Sequence, residues 1–105
     1  MVNRFDVYLV NLDAQPSKDA KNTRPCVVIS PDEMNQNIQN IIIAPLSTAT
    51  KYPTRVPVSF LNGERLVVLD QIRTVDKVRL VKKIGSLDKD EGTAILKCIA
   101  EIFAQ

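Results

Sequence analysis

The sequence contains no histidine and no tryptophan among its 105 residues. Without histidine, the chain lacks the commonest general base and the commonest ligand of transition metals. A Ser-His-Asp or Cys-His mechanism is therefore excluded within this chain. Its two cysteines, Cys26 and Cys98, are far apart in the sequence, so we expect no zinc site and no cofactor. Both cysteines stand in apolar patterns, which predicts reduced core residues.

Long apolar runs are also missing. No stretch approaches the roughly 20 apolar residues that a membrane span needs. The N-terminus has no basic segment followed by an apolar core, so we expect no signal peptide and a cytoplasmic location. The net charge of +2 is too small to indicate nucleic-acid binding by itself. The basic residues nevertheless fall into two groups: Lys18, Lys21 and Arg24, and Lys77, Arg79, Lys82 and Lys83. Such groups indicate either a solvated face or an anion-binding groove.

The length predicts one domain over residues 1–105. Alternating or continuous apolar patterns predict strands at 5–12, 26–29, 41–46, 54–60 and 64–69, with a short strand or turn at 78–84. Pro45 should mark a strand end or a bulge. Asn62-Gly63 indicates a two-residue hairpin turn.

Two helical segments are expected. Ser30 is a candidate N-cap for one helical turn at 31–36, and Asp88 forms a predicted capping box with Glu91. The second segment carries an apolar stripe that should pack on the core, formed by Ile95, Ile99, Ile102 and Phe103. The sequence therefore predicts a mainly β fold, a small and strongly curved antiparallel sheet or barrel with a C-terminal helix.

Arg24 is the strongest candidate for a functional residue. Pro25 biases Arg24 toward extended backbone at the mouth of an apolar strand. A guanidinium fixed there is suited to bidentate phosphate binding, although a surface arginine at a strand edge is the alternative. The ten-residue loop at 13–22 precedes Arg24 and is longer than most connections, which makes it a candidate functional segment.

RNA is a substrate that a site without histidine or metal can cleave, because its 2′-hydroxyl is a built-in nucleophile. Arg24 would stabilise the charge of the transition state, and Ser47 would donate a hydrogen bond to a phosphate oxygen. Either Asp70 or Asp19 would accept the 2′ proton, a role that needs a pKa raised from about 4. We predict substrate contacts from Lys18, Asp19, Lys21, Thr23, Thr48, Gln71 and Arg73.

Five blocks in this order resemble the MazF/PemK/Kid family of bacterial toxin endoribonucleases. They are residues 6–13 (DVYLVNLD), 23–31 (TRPCVVISP), 43–47 (IAPLS), 70–76 (DQIRTVD) and the positions Arg79-Leu80 with Lys83-Ile84-Gly85. The resemblance runs from about residue 6 to residue 103, nearly the whole chain.

This resemblance implies an SH3-like curved barrel, a homodimer and a cognate antitoxin. It also implies sequence-specific, metal-independent cleavage of single-stranded RNA such as mRNA, with 2′,3′-cyclic phosphate and 5′-hydroxyl ends. Arg24 matches the family's loop-end arginine, and Ser47 matches its hydroxyl residue. Asp19 matches the acid of the loop, and Asp70 the aspartate before Gln-x-Arg.

Two other functions are compatible with the same fold. A CcdB-type toxin poisons gyrase through a C-terminal end that includes tryptophan, whereas this chain ends in Ile102-Phe103-Ala104-Gln105. A non-catalytic SH3-like module would bind RNA or peptide without cleaving it.

Overall fold

A computed structural model describes residues 1–13, 22–48 and 50–104, and within them the chain forms seven strands and two α-helices. The strands are β1 (Asp6–Asn11), β2 (Thr23–Val28), β3 (Asn40–Ser47), β4 (Arg55–Phe60), β5 (Gly63–Val68), β6 (Arg73–Asp76) and β7 (Leu80–Ser86). The helices are α1 (Asp32–Asn37) and α2 (Lys89–Ile102), and short 3-10 turns lie at Leu69–Gln71 and Lys77–Arg79.

β3 is the strand around which the sheet curls. It pairs with β2 on one edge, while its other edge pairs first with β6, over residues 40–43, and then with β5, over residues 46–47. β1 joins β2 to β7, and β4 pairs with β5. Each of these pairings is antiparallel. The prediction of a mainly β, curved antiparallel fold with a C-terminal helix is therefore confirmed.

The two faces of the sheet bury separate apolar clusters. One cluster contains Val27, Ala44 and Val67, and α2 covers it with Ile95 and Cys98. The other cluster lies on the opposite face and consists of Val10, Cys26, Val28, Ile41, Ile43, Val75 and Leu80. Both cysteines are buried and reduced, as the sequence predicted.

Pro45 lies inside β3, so the prediction that it could end the strand is wrong. The ladder along that edge of β3 is interrupted between Ile43, the last partner of β6, and Leu46, the first partner of β5. Proline lacks a backbone N–H, so it is tolerated where no ladder bond is required. β6 has only four residues and was not predicted as a strand.

Two local signals were placed wrongly. The hairpin turn consists of Leu61 and Asn62, both at positive φ, and Gly63 is already in β5 opposite Phe60. Asparagine tolerates the left-handed conformation, which explains why it takes the second turn position. Ser30 does not cap α1, because its hydroxyl donates to Asn35 and accepts from Ile42 N at 3.0 Å.

The start of α2 is as predicted. Asp88 Oδ1 accepts from Glu91 N at 2.8 Å, and Glu91 Oε1 accepts from Asp88 N at 3.1 Å. Phe103, expected in the apolar stripe, lies past the end of α2 and is exposed. In the described ranges, neither helix is long and apolar enough to cross a membrane.

Candidate functional site

Arg24 and Ser47 lie at neighbouring ends of β2 and β3. The ladder between these strands ends with Cys26 opposite Pro45, and Arg24 and Ser47 each lie two residues beyond that pair. Alternate residues of a strand face the same side of a sheet, so both side chains share the face of Cys26 and Pro45. Arg24 is exposed and Ser47 is half-buried. The structure therefore places on one face, at adjacent strand ends, the two residues that the sequence predicted to act on one phosphate.

A buried apolar cluster, here called the apolar floor, lies on the same face as this pair and consists of Val10, Cys26, Val28 and Ile43. Arg24 is opposite Val10 of β1, and Cys26 and Val28 continue its row inward along β2. Close-packed protein interiors have low compressibility, and their side chains sit in well-defined positions. The floor fixes the main chain beneath Arg24 while its guanidinium extends into solvent.

Arg73 adds a second guanidinium to the same face. It is opposite Ile43 of β3, which in turn is opposite Val28 of β2. Burial raises the pKa of the Cys26 thiol to about 12, and the positive charges of Arg24 and Arg73 act against that rise. Both guanidiniums are thus close enough to Cys26 to influence it. The face carries two cations, as an anionic polymer would require.

Asp70 is held by side chains other than Arg24 and Ser47. Its Oδ1 accepts from Thr54 Oγ1 at 2.9 Å and from Arg55 Nε at 3.2 Å, and its Oδ2 accepts from Arg55 Nη2 at 3.3 Å. The hydrogen bonds from Arg55, followed by that from Thr54, lower the pKa of Asp70. A proton acceptor for the 2′-hydroxyl would need a shift in the opposite direction.

The remaining predicted contacts fall into three groups. Gln71 and Thr48 are exposed, in the 3-10 turn after Asp70 and directly after Ser47. Thr23 is half-buried beside Asn11, and its position next to Arg24 in β2 gives it the opposite face of the sheet. The predictions for Lys18, Asp19 and Lys21 lie outside the described residues.

The two ends of the 13–22 loop are joined by side chains that the sequence did not single out for this role. Asn22 Nδ2 donates to Asp13 Oδ2 at 3.0 Å. Arg79 Nη1 donates to the main-chain oxygens of Asn11, at 3.1 Å, and Asp13. Lys83 Nζ, in contrast, lies 3.3 Å from Oδ1 of the buried Asp6. The basic residues grouped with Arg79 in the sequence therefore have partners in different places. The contacts of Arg79 and Arg55 carried no sequence signal, because their partners are distant in the chain.

Known proteins share this sequence pattern. The family model described as "PemK-like, MazF-like toxin of type II toxin-antitoxin system" matches residues 3–103. Endoribonuclease MazF of Staphylococcus epidermidis is 32% identical over 98 residues, which cover 87% of this chain and 82% of that protein.

Solved structures share the fold. Mycobacterium tuberculosis toxin MazF-mt6 superposes with a TM-score of 0.76 at 24% identity, over 93% of this chain and 95% of that one. A chain of the MazE-MazF structure from Deinococcus radiodurans gives a TM-score of 0.79 at 19% identity, over 99% of this chain and 96% of that one. An endoribonuclease from a mycobacterial species, in complex with its cognate antitoxin, gives 0.78 at 19% identity, over 96% and 93%. With the family model matching nearly the whole chain, the chain belongs to the PemK-like, MazF-like family of toxins from type II toxin–antitoxin systems.

Proposed function

We propose that this toxin is an endoribonuclease that cleaves single-stranded RNA at a phosphodiester held by Arg24 and Ser47. The observation that carries the proposal is the alignment of these two side chains on one face, with Arg73 further along it. Membership of the family and the similarity to Endoribonuclease MazF support the same class of activity.

In the proposed reaction, the 2′-oxygen attacks the adjacent phosphorus and the bond from phosphorus to the 5′-oxygen breaks. The products are a 2′,3′-cyclic phosphate and a 5′-hydroxyl, which takes up a proton. Arg24 stabilises the charge that develops on the non-bridging oxygens, usually the largest single contribution in such sites. Ser47 donates a hydrogen bond to one of these oxygens and fixes its position. No step assigned to these residues requires a metal ion.

The paired state of Asp70 changes the balance between the two candidate proton acceptors. Arg55 stabilises the anionic form of Asp70 and lowers its pKa, which makes it a weaker base. Asp19 remains the other acid that the sequence offers for this role. A positioned base would add about 10²- to 10⁴-fold in rate. Because the lowered pKa makes Asp70 a weak base, we assign most of the acceleration to charge stabilisation and positioning.

The experiment is RNA cleavage in excess EDTA, followed by mapping of the ends. We expect discrete cuts with 5′-hydroxyl ends. Arg24→Ala should slow the reaction by about 100-fold or more, as does loss of one donor to a developing oxyanion. The matched control is Arg65→Ala, because Arg65 lies on the same sheet but shares the face of Val67, opposite to the site.

Other outcomes favour the alternatives. Intact RNA together with stalled gyrase complexes would indicate a gyrase poison, and RNA binding without cleavage would indicate a non-catalytic module. Cleavage that is abolished by EDTA and restored by a divalent cation would contradict the metal-independent reaction. An unchanged rate in Arg24→Ala would remove Arg24 from the site.

We further propose that the toxin acts as a cytoplasmic homodimer that a cognate antitoxin neutralises. Two of the structural relatives are complexes with an antitoxin. The exposed cations Arg24 and Arg73 suit an acidic segment that orders as it binds. Addition of the cognate antitoxin should suppress the RNA cleavage described above, and unchanged cleavage at saturating antitoxin would argue against this partner.

A further inference from the structure

The Arg55 guanidinium joins two segments that border the site. Its Nε and Nη2 donate to the two oxygens of Asp70, at 3.2 and 3.3 Å. Its Nη1 donates to the main-chain oxygen of Thr50, at 2.7 Å. Thr50 belongs to the segment that follows Ser47, and Asp70 belongs to the 3-10 turn before β6. One half-buried side chain therefore fixes both segments relative to β4.

The Asp70 end of this connection is reinforced. Thr54 Oγ1 donates to Asp70 Oδ1 at 2.9 Å, and Leu69 N donates to Thr54 O at 3.1 Å. The hydrogen bonds lower the pKa of Asp70, so it stays an anion and both of its oxygens are engaged. We name the group formed by the Thr50 carbonyl, Thr54, Arg55 and Asp70 the Arg55 clamp.

The clamp lies on the same face as the proposed site. Ser47 is opposite Leu66 in β5, and Arg55 is opposite Val68, two residues further along the same strand. Residues directly opposite share a face, as do residues two apart in one strand. Ser47, Leu66, Val68 and Arg55 therefore form one continuous row. Thr48 and Gln71, both exposed, are carried by the two segments that the clamp joins.

We propose that Arg55 is a positioning residue that determines which bases the enzyme accepts beside the cut, and that Asp70 serves as its partner and not as the proton acceptor. This inference rests on the proposed endoribonuclease function. Single-stranded RNA is read through hydrogen bonds to unstacked bases, and such reading requires side chains held in fixed places. The clamp holds the segments of Thr48 and Gln71 in register with Ser47.

The test compares cleavage of two single-stranded oligonucleotides, the preferred sequence and the same sequence with one base changed beside the cut. The ratio of their kcat/KM values measures discrimination. Arg55→Lys keeps the charge but cannot form the fork to Asp70 and reach the Thr50 carbonyl at once. We expect the ratio to fall about tenfold or more in Arg55→Lys, whereas the control Arg65→Lys keeps it.

Asp70→Asn separates positioning from proton transfer. If Asp70 is a positioning residue, Asp70→Asn should lower the discrimination ratio, as Arg55→Lys does, and leave the shape of the pH–rate profile unchanged. If Asp70 is a general base, Asp70→Asn should lose about 10²- to 10⁴-fold in kcat with the discrimination ratio intact, and that result overturns the inference. If either variant fails to fold, Thr54→Val removes one donor to Asp70 at similar volume and should shift the ratio in the same direction.

The two proposals fail in different ways. A wild-type enzyme that cleaves RNA, with the same ratio in Arg55→Lys and Thr54→Val, would overturn the role of the clamp alone. A wild-type protein that cleaves no RNA would overturn the proposed function and this inference with it.

Discussion

Asp70 shows how one neighbouring side chain changes what a carboxylate can do. Its position before Gln71 suits either a proton acceptor or a structural anion, and both were compatible with the sequence. Arg55, fifteen residues earlier in the chain, forms an ion pair with it at 3.2 Å and lowers its pKa. Arg55 thus determines whether Asp70 can act as a proton acceptor, and the pairing of β4 with β5 places Arg55 beside it.

Arg24 and Ser47 were predictable as individual residues because their signals are local. Pro25 holds Arg24 in extended backbone, and the apolar run of β3 ends at Ser47. The contacts of Arg55 and Arg79 were not predictable, because each donates to a main-chain oxygen supplied by a segment outside its own element. A charged residue whose acceptor is a carbonyl leaves no pattern in the sequence.

At the scale of elements, α2 was predicted well at its start and poorly at its end. The capping box needs only Asp88 and Glu91, three residues apart, so it can be recognised locally. Glu91 Oε2 also accepts from Ser59 N at 2.8 Å, which ties the helix to β4 and has no sequence signal. The hairpin turn was misplaced by one residue for a related reason, since pairing across β4 and β5 decides which residues take positive φ.

Asp88→Ala tests the capping box. Loss of an N-cap side chain lowers the free energy of unfolding by about 1 kcal/mol, which corresponds to a fall in Tm of roughly 4–8 °C for a domain of this size. Thermal unfolding followed by circular dichroism measures the change. Asp90→Ala, in the same first turn of α2, should cost less because the Asp90 side chain is not the N-cap. Equal losses in the two variants would contradict the assignment.

At the scale of the whole molecule, the fold class was predictable and the connection of its strands was not. Alternating apolar patterns indicate that a strand exists, but they do not identify its neighbours. Among the described strands β3 has three neighbours, and their registers, together with that of β4 on β5, place Arg24, Ser47, Arg55 and Arg73 on one face. The resemblance to a known family singled out Arg24 and Ser47 before any pairing was known, but it did not include Arg55.

The proposed homodimer is also a property of the whole molecule. Leu96 and Phe103 are exposed apolar side chains beside a groove of about 430 Å³, and apolar surface of this kind is typical of interaction sites. We expect the mass in solution, measured by light scattering at micromolar concentration, to equal two chains. A mass of one chain across that range would contradict the dimer.

The central claim is that Arg24 and Ser47 act on the same phosphate. A double-mutant cycle on the single-turnover cleavage rate tests it most directly, with Arg24→Lys, Ser47→Ala and the double variant on one RNA in EDTA. We expect each single variant to lose about 10- to 100-fold in rate. The double variant should be slower than the worse single variant by no more than about threefold, because residues that act as a unit are not additive. Losses that multiply in the double variant, or a Ser47→Ala rate equal to that of the wild type, would contradict the claim.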